Sequence, residues 1–447
     1  MTFFAKFCIP FIVGEAVLFA TIAIKYLTWL RHLPKSDWKL IVKNVLSWHS
    51  VAAMWEVVSE SLLHRRIFKV NPKLGYMHMS LAFGWFLLIA VGAIETVAYL
   101  GFRWIPLHGH VFFKYFVPLN GISEHKPVFD FVMDLLLLFV LSGVAMAWFK
   151  RARSRALGMK KTTNHILFDR IALSALWFVF PLRLLAESVT AAIYGGGSFL
   201  TGGIGALLAN SIGVEALGYV YEPLWWCYSL ALGVFFTTMP FSRYMHIFTE
   251  IPLIFLRHYK LRPEAMEKSY DNFEVEACSR CGICIDPCQL QLQLGINDVQ
   301  SVYFLRDRRY NMLQQKIANN CLMCGRCEQT CPVGINLSTL RLNSRATRRN
   351  IPHEGRYKYF AGIDRSNGSG KIGYFAGCMT TLTPSVQRSM EKIFEAVGDE
   401  VWYADKDGGV CCGRPLMLSG ETDAARKMVV YNTDLFRRYE ITTLITS

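Results

Sequence analysis

The sequence predicts an all-α polytopic membrane bundle of about five helices, then a mostly α-helical cysteine-rich segment, then a partial α/β unit. Three observations carry this expectation. Hydrophobic residues make up 52% of the 447 positions, and many lie in runs near the roughly 20 apolar residues that a bilayer crossing needs. Of 13 cysteines, only Cys8 and Cys227 precede Cys278. Beyond residue 370 the pattern becomes short apolar runs alternating with amphipathic stretches, as strands alternating with helices do.

The apolar runs place spans at about 7–30, 76–100, 127–149, 171–194 and 221–244. The first is longer than the 7–15-residue core of a signal peptide and lacks a small-residue cleavage site, so it reads as an uncleaved helix. The stretch 45–63 carries His49, Glu56 and Glu60 and reads as an interfacial or reentrant amphipathic helix, not a sixth span. The first connection holds Arg31, Lys35, Lys39, Lys43, Arg65, Arg66, Lys69 and Lys73, and the third holds Lys150, Arg151, Arg153, Arg155, Lys160, Lys161 and Arg170. The second holds only Arg103, Lys114 and Lys126, and the Gly-rich fourth has no basic residue. Basic loops stay in the cytoplasm, so the expectation is a multi-pass protein of the inner (cytoplasmic) membrane. Its N-terminus lies outside and everything after about residue 245 in the cytoplasm. A reducing compartment suits free thiols, which is an independent argument for the same orientation. The net charge of +14 is explained by these loops. A basic helix face with base-reading side chains and a stacking platform are both missing, so no nucleic-acid partner is expected.

His78 and His246 sit just inside the second and fifth spans, at similar depth near the inner face. Two imidazoles can supply both axial ligands of one b-type haem; alternatively both are interfacial histidines that only hydrogen-bond. The run from Gly75 to His78, and the stretch Ser242, Arg243, His246 with a shifted Pro252, resemble the di-haem cytochrome b subunit of respiratory nitrate reductase and of membrane heterodisulfide reductases. That resemblance implies that His78 and His246 hold haem b. The family's second pair falls here at about Leu88 and Tyr228, neither an imidazole, so one haem is expected in place of two. His49 and His64 are reserve ligands. Arg183 and Glu187, four apart on the fourth span, form either a quinone proton relay or haem-propionate contact, or a structural ion pair. Glu95, Asp130 and Asp134 are weaker candidates of the same kind, and Cys8 and Cys227 read as apolar filler.

Cys278, Cys281, Cys284 and Cys288 follow a C-x2-C-x2-C-x3-C spacing that Cys321, Cys324, Cys327 and Cys331 repeat before Pro332. Three thiolates at steps of three wrap a cubane, and the fourth reaches across to the other cluster. One [4Fe–4S] cluster is therefore assigned to Cys278, Cys281, Cys284 and Cys331, and a second to Cys288, Cys321, Cys324 and Cys327. A zinc pair ordinarily uses two separated C-x-x-C knuckles. Gln289 stands where the dicluster ferredoxin pattern has proline, which leaves the ligands in place. The helical stretch 299–319 between the repeats is long, as in the iron–sulfur subunits of succinate dehydrogenase and heterodisulfide reductase.

The last part reads as strand 371–378, helix 383–398 with Pro384 at its first position, strand 400–405, helix 421–440 and strand 441–447. Cys378 follows the first strand, and 32 residues separate it from Cys411 and Cys412. This resembles one copy of the cysteine-rich CCG domain of heterodisulfide reductases, glycolate oxidase iron–sulfur subunits and anaerobic glycerol-3-phosphate dehydrogenases. The resemblance implies a noncubane [4Fe–4S] cluster on Cys378, Cys411 and Cys412, and a C-x-x-C beyond Ser447 that a continuation of the chain or another polypeptide supplies. The alternative, a disulfide between neighbours, is strained and disfavoured in the cytoplasm.

The expected domains are thus 1–258 (cytochrome b-like), 259–352 (dicluster ferredoxin-like) and 353–447 (partial CCG). Their order resembles membrane iron–sulfur oxidoreductases that join cytoplasmic redox partners to menaquinone. The implied partner is electron-transfer flavoprotein, a thiol/disulfide couple, or a heterodisulfide-reductase-like subunit. The alternative is a non-catalytic membrane anchor and electron-relay subunit.

Overall fold

The structure, a computed structural model, describes residues 3–102, 104–117, 126–153, 165–261, 269–347, 364, 366–406 and 411–447. Arg103, Arg155, Lys160 and Lys161, used above for orientation, and the expected boundary at 352/353 lie outside the described residues. Two compact units make up the chain: residues 1–313 with 325–337, and residues 314–324 with 338–447.

In the first unit, five helices are long and apolar enough to cross a membrane: Lys6–Arg31, Pro72–Leu100, Pro127–Ala152, Leu167–Tyr194 and Val214–Phe241. They are referred to as the first to fifth spans. The fifth ends earlier than the sequence suggested. Its α-helix stops at Thr238, and two short turns, Met239–Phe241 and Arg243–Met245, lead into a separate helix, His246–His258. Pro240 has no N–H to continue the ladder, and the Ser242 hydroxyl accepts from the Tyr244 N–H (3.3 Å), capping the next turn. His246 therefore begins a helix of its own.

The stretch 45–63 is helical over Trp48–Glu56, then widens into a π-helical turn over Val57–Leu62. Ala53 and Val57 pack against Ile254 of the His246–His258 helix. Its polar face is used: Glu56 bonds Arg66 (2.7 Å), Arg257 (2.6 Å) and His258 (2.7 Å). The Gly-rich fourth connection contains a short helix, Thr201–Ile212. Asp134 holds it, accepting from the N–H groups of Ser198, Leu200 and Thr201 and from the Thr201 hydroxyl at 2.7–3.1 Å. That carboxylate is taken up as a staple, the structural one of the two roles open to Asp134.

The first and fifth spans approach closely at paired glycines. A Cβ on Gly14 would fall 2.6 Å from the Gly233 carbonyl oxygen, and one on Gly233 would fall 2.4 Å from that of Pro10. Small residues allow such backbone contact where lipid supplies no hydrophobic drive.

The second unit carries a three-stranded parallel sheet in the order β2-β1-β3, with β1 at Ile372–Phe375, β2 at Val401–Tyr403 and β3 at Thr443–Thr446. Helices Pro384–Val397 and Thr422–Arg438 form the crossovers. Trp402, Ala404, Phe375 and Leu435 fill the core on one face, and Tyr374, Ala376, Phe394 and Val401 on the other.

Gly233→Leu is expected to destabilise the bundle by about 1–3 kcal/mol through overpacking. Thermal unfolding in detergent should show a lowered midpoint, whereas Gly203→Ala, which meets open space inside a helix, should not lower it.

Candidate redox centres

The cysteine loop is shaped by two left-handed residues. Arg280 has φ +55° and Gly282 φ +90°, and in the second repeat Met323 (φ +54°) and Gly325 (φ +76°) take the same positions. The two repeats thus share one backbone turn, which folds each C-x-x-C back on itself. In both, the residue two after the first cysteine turns its N–H to that cysteine's sulfur, at 3.4 Å for Met323 and Cys321.

Cys278, Cys281, Cys284 and Cys331 line one pocket, whose other walls are mostly apolar, among them Val302, Leu305 and Ile335. Burial, then the neighbouring thiols Cys281, Cys278, Cys331 and Cys327, raises the Cys284 thiol well above its ordinary value. Burial likewise pushes Cys331 up to about 12 and raises Cys278. Thiols crowded in apolar walls resist ionising together unless positive charge is supplied among them, which is what iron does. Among the described residues no three His, Cys, Asp or Glu side chains close around a single ion; the thiols face a pocket instead. Of the other set, Cys327 accepts from the Ser301 hydroxyl at 3.1 Å, and Cys288 precedes the helix Gln289–Leu294. Cys321 and Cys324 belong to the second unit, where Arg345 donates to the carbonyls of Ala318, Asn319 and Cys321 at 2.7–2.9 Å.

The loop is tied to the spans by a buried ion pair that sequence reading missed. Both Arg280 guanidinium nitrogens reach the Asp169 carboxylate, Nη2 at 2.8 Å, and neither side chain is more than 2% exposed. Asp169 also accepts the Arg243 N–H at 2.8 Å, so one carboxylate joins the cysteine loop, the fourth span and the turn before His246. Around it Lys25 donates to the Pro240 carbonyl (2.8 Å), Tyr310 to that of Phe241 (3.0 Å) and Arg309 to that of Ser242 (3.3 Å).

His78 Nε2 is buried with no hydrogen-bond partner among the described residues. The His64 ring stacks beside it, centroids 5.4 Å apart and planes 21° from parallel. His64 sits at φ +53° ahead of the helix Arg65–Val70, and its Nδ1 meets the Leu62 carbonyl at 3.0 Å. His246 Nδ1 meets the Arg243 carbonyl at 2.7 Å. Burial pushes His246 down to about 3 and lowers His64, so both are neutral near pH 7. A neutral imidazole whose Nδ1–H is spent on a carbonyl keeps the Nε2 lone pair for a metal. The structure therefore brings the reserve residue His64 beside His78. His49 lies half-buried on the Trp48–Glu56 helix.

Leu88 and Tyr228 are buried core residues at 2% and 3% exposure. Arg183 pairs with Glu187 at 2.8 Å, and Glu187 also lines a polar cavity with Lys114, Asp130 and Thr190. Lys114 bonds Glu95 (2.7 Å) and Asp130 (2.6 Å), so both carboxylates are neutralised where they are buried. Lys114 was not singled out in the sequence, because its partners lie in other helices.

In the second unit Cys378 follows β1 and Cys411 and Cys412 follow β2, at the carboxyl edge where open parallel sheets bind ligands. Asp405 accepts the N–H groups of Ala376 (3.0 Å) and Gly377 (2.7 Å), fixing the turn before Cys378. Gly413, at φ +82°, turns its N–H to Cys411 Sγ at 3.4 Å, and Asn432 donates to the Cys411 carbonyl at 3.0 Å. Burial, offset in part by the Gly413 N–H, raises the Cys411 thiol, and the nearby Cys412 and Cys378 add to this. Cys378 and Cys412 are exposed.

Residues 274–335 match the 4Fe-4S dicluster domain family. Residues 372–447 match the cysteine-rich CCG domain family. The chain is 23% identical over 224 residues to a subunit of the fumarate reductase (CoM/CoB) of Methanothermobacter marburgensis, covering 42% of this chain and 43% of that protein. It is 21% identical over 289 residues to EtfAB:quinone oxidoreductase of Syntrophomonas wolfei, covering 62% of this chain and 34% of that protein. An uncharacterized iron-sulfur protein of Methanococcus maripaludis is 23% identical over 223 residues, covering 42% of this chain and 44% of that protein. The chain spans less than half the length of these curated relatives. No solved structure matches. The domains and named relatives are those of iron–sulfur oxidoreductases.

Replacing Asp169 by Asn is expected to cost about 3–5 kcal/mol, because it strands the buried Arg280 charge. In unfolding experiments the double variant Asp169→Asn, Arg280→Gln should recover part of that loss.

Proposed function

We propose that this chain carries electrons between a redox partner on the side of its cysteine loops and a membrane quinone. One observation carries the reading: four thiols share an apolar pocket in the same compact unit as the spans and their imidazoles. In this reading Cys278, Cys281, Cys284 and Cys331 hold one [4Fe–4S] cluster and Cys288, Cys321, Cys324 and Cys327 the second. Cys378, Cys411 and Cys412 offer three ligands to a third, noncubane cluster, in the domain arrangement 1–258, 259–352 and 353–447.

His78 and His246, with unspent Nε2 atoms, would hold haem b, and His64 is positioned to compete for the same iron. A haem bound there supplies a one-electron couple inside the bilayer. Buried Leu88 and Tyr228 fit one haem in place of two. Arg183 and Glu187, beside the polar cavity at the far end of the bundle, serve as a proton relay if the quinone binds there and as a structural ion pair if it does not. The basic connections support a cytoplasmic position for the cysteine segments, with the N-terminus outside. The name of the Syntrophomonas relative supports electron-transfer flavoprotein and a quinone as partners, and menaquinone is the quinone of this reading. A thiol/disulfide couple or a heterodisulfide-reductase-like subunit is the alternative redox partner.

A second reading, an anchor and relay subunit whose substrate chemistry belongs to a partner, is favoured by the exposure of Cys378 and Cys412. If partner-free protein reduces menaquinone from an artificial donor but turns over neither disulfide nor flavoprotein, the relay reading holds.

Purified protein should contain about eight irons and eight acid-labile sulfides for its two cubanes, more if the third cluster assembles. Cys331→Ser should remove about four of each. A reducible Soret band should be present and be lost or shifted in His78→Ala. A colourless, iron-free protein would end the proposal.

A further inference from the structure

We propose that a cleft at the cysteine-loop end of the bundle seats the quinone ring, in contact with the loop that carries Cys281. This rests on the quinone reading above. The cleft lies where the second, third and fourth spans end, with Met77, Ala147 and Leu173 as apolar walls. Lys150, His165, Trp177 and Arg243 bring polar atoms into it, and Cys281 closes one side.

Three of those polar atoms are fully buried and have no hydrogen-bond partner among the described residues: Trp177 Nε1, Arg243 Nε and His165 Nδ1. Buried donors left unpaired are costly and are normally satisfied by something. Indole and guanidinium N–H groups are donors only, so the missing partner presents acceptor oxygens. The apolar walls favour a flat, largely apolar body between those oxygens, and those walls belong to the ends of three spans. A ring with two opposed carbonyls meets these requirements.

Lys150 and Arg243 lie close enough to interact, and Lys150 also feels the Cys281 sulfur. Their positive charge would stabilise negative charge arriving on the quinone oxygens before protons do. The reaction balances as quinone plus two electrons plus two protons giving quinol, each carbonyl oxygen gaining one proton. A cluster held by Cys278, Cys281, Cys284 and Cys331 would supply the two electrons one at a time, and the reduced flavoprotein or dithiol partner would replace them. The protons come from water on the cysteine-loop face. Quinol oxidation is the same step reversed.

The test uses the full chain in detergent with two probes: a fluorescent hydroxyquinoline N-oxide quinone-site ligand, and a photoreactive azido-naphthoquinone mapped by mass spectrometry. The expected result is label on peptides containing Lys150 or Trp177. Trp177→Phe and Lys150→Gln should each weaken ligand binding by about tenfold, with iron–sulfur and haem spectra unchanged. Label near Arg183 and Glu187 with unchanged affinity in both variants would overturn the location while leaving the quinone reading intact. Variants that shift the Soret band or haem potential but not ligand affinity would also overturn it, since the donors then serve the haem carboxylates. Wild-type protein that binds neither probe would remove the quinone reading itself, and this site with it.

Discussion

Asp169 is the carboxylate on which the first unit depends. It sits in the first turn of the fourth span, fully buried, where an unpaired negative charge would be prohibitively expensive. Arg280, itself left-handed and almost wholly buried, neutralises it and thereby fixes the loop between Cys278 and Cys281. The same carboxylate captures the Arg243 N–H, which sets the turn that delivers His246. A single residue thus couples the shape of a cysteine loop to the position of an imidazole.

The opposite end of the bundle follows the same rule by a different arrangement. Lys114 is shared by Glu95 and Asp130, Arg183 is paired with Glu187, and Asp134 is surrounded by N–H groups. Charges in an apolar interior persist when every one has a partner. Here that neutrality is built from side chains on four different helices, and it encloses the polar cavity beside Glu187.

Much of this was legible in the sequence, and the divide is physical. The spans could be read because bilayer thickness imposes a length, and the cysteine repeats because a cubane imposes a spacing. The strands and helices after residue 370 could be read because Pro384, the alternating apolar runs and the two cysteine positions punctuate them locally. Pairings across long sequence separations were not legible. Asp169 and Arg280 are 111 residues apart, and nothing local in either neighbourhood announces the other. The end of the fifth span was misplaced because hydropathy continues through Met239–Phe241 while Pro240 and Ser242 interrupt the hydrogen bonding. His64 was a weaker candidate than His246 on depth alone; its left-handed backbone, which turns the ring onto His78, is a conformational fact that composition does not carry.

The turn at 240–242 has its carbonyls bound by Lys25, Tyr310 and Arg309. Backbone after the fifth span is thereby stitched to Arg309 and Tyr310, between the cysteine repeats, and to Lys25 of the first span. The interval between the Cys278–Cys281 loop and His246 is therefore determined once, during folding, like a soldered joint rather than a swinging contact arm.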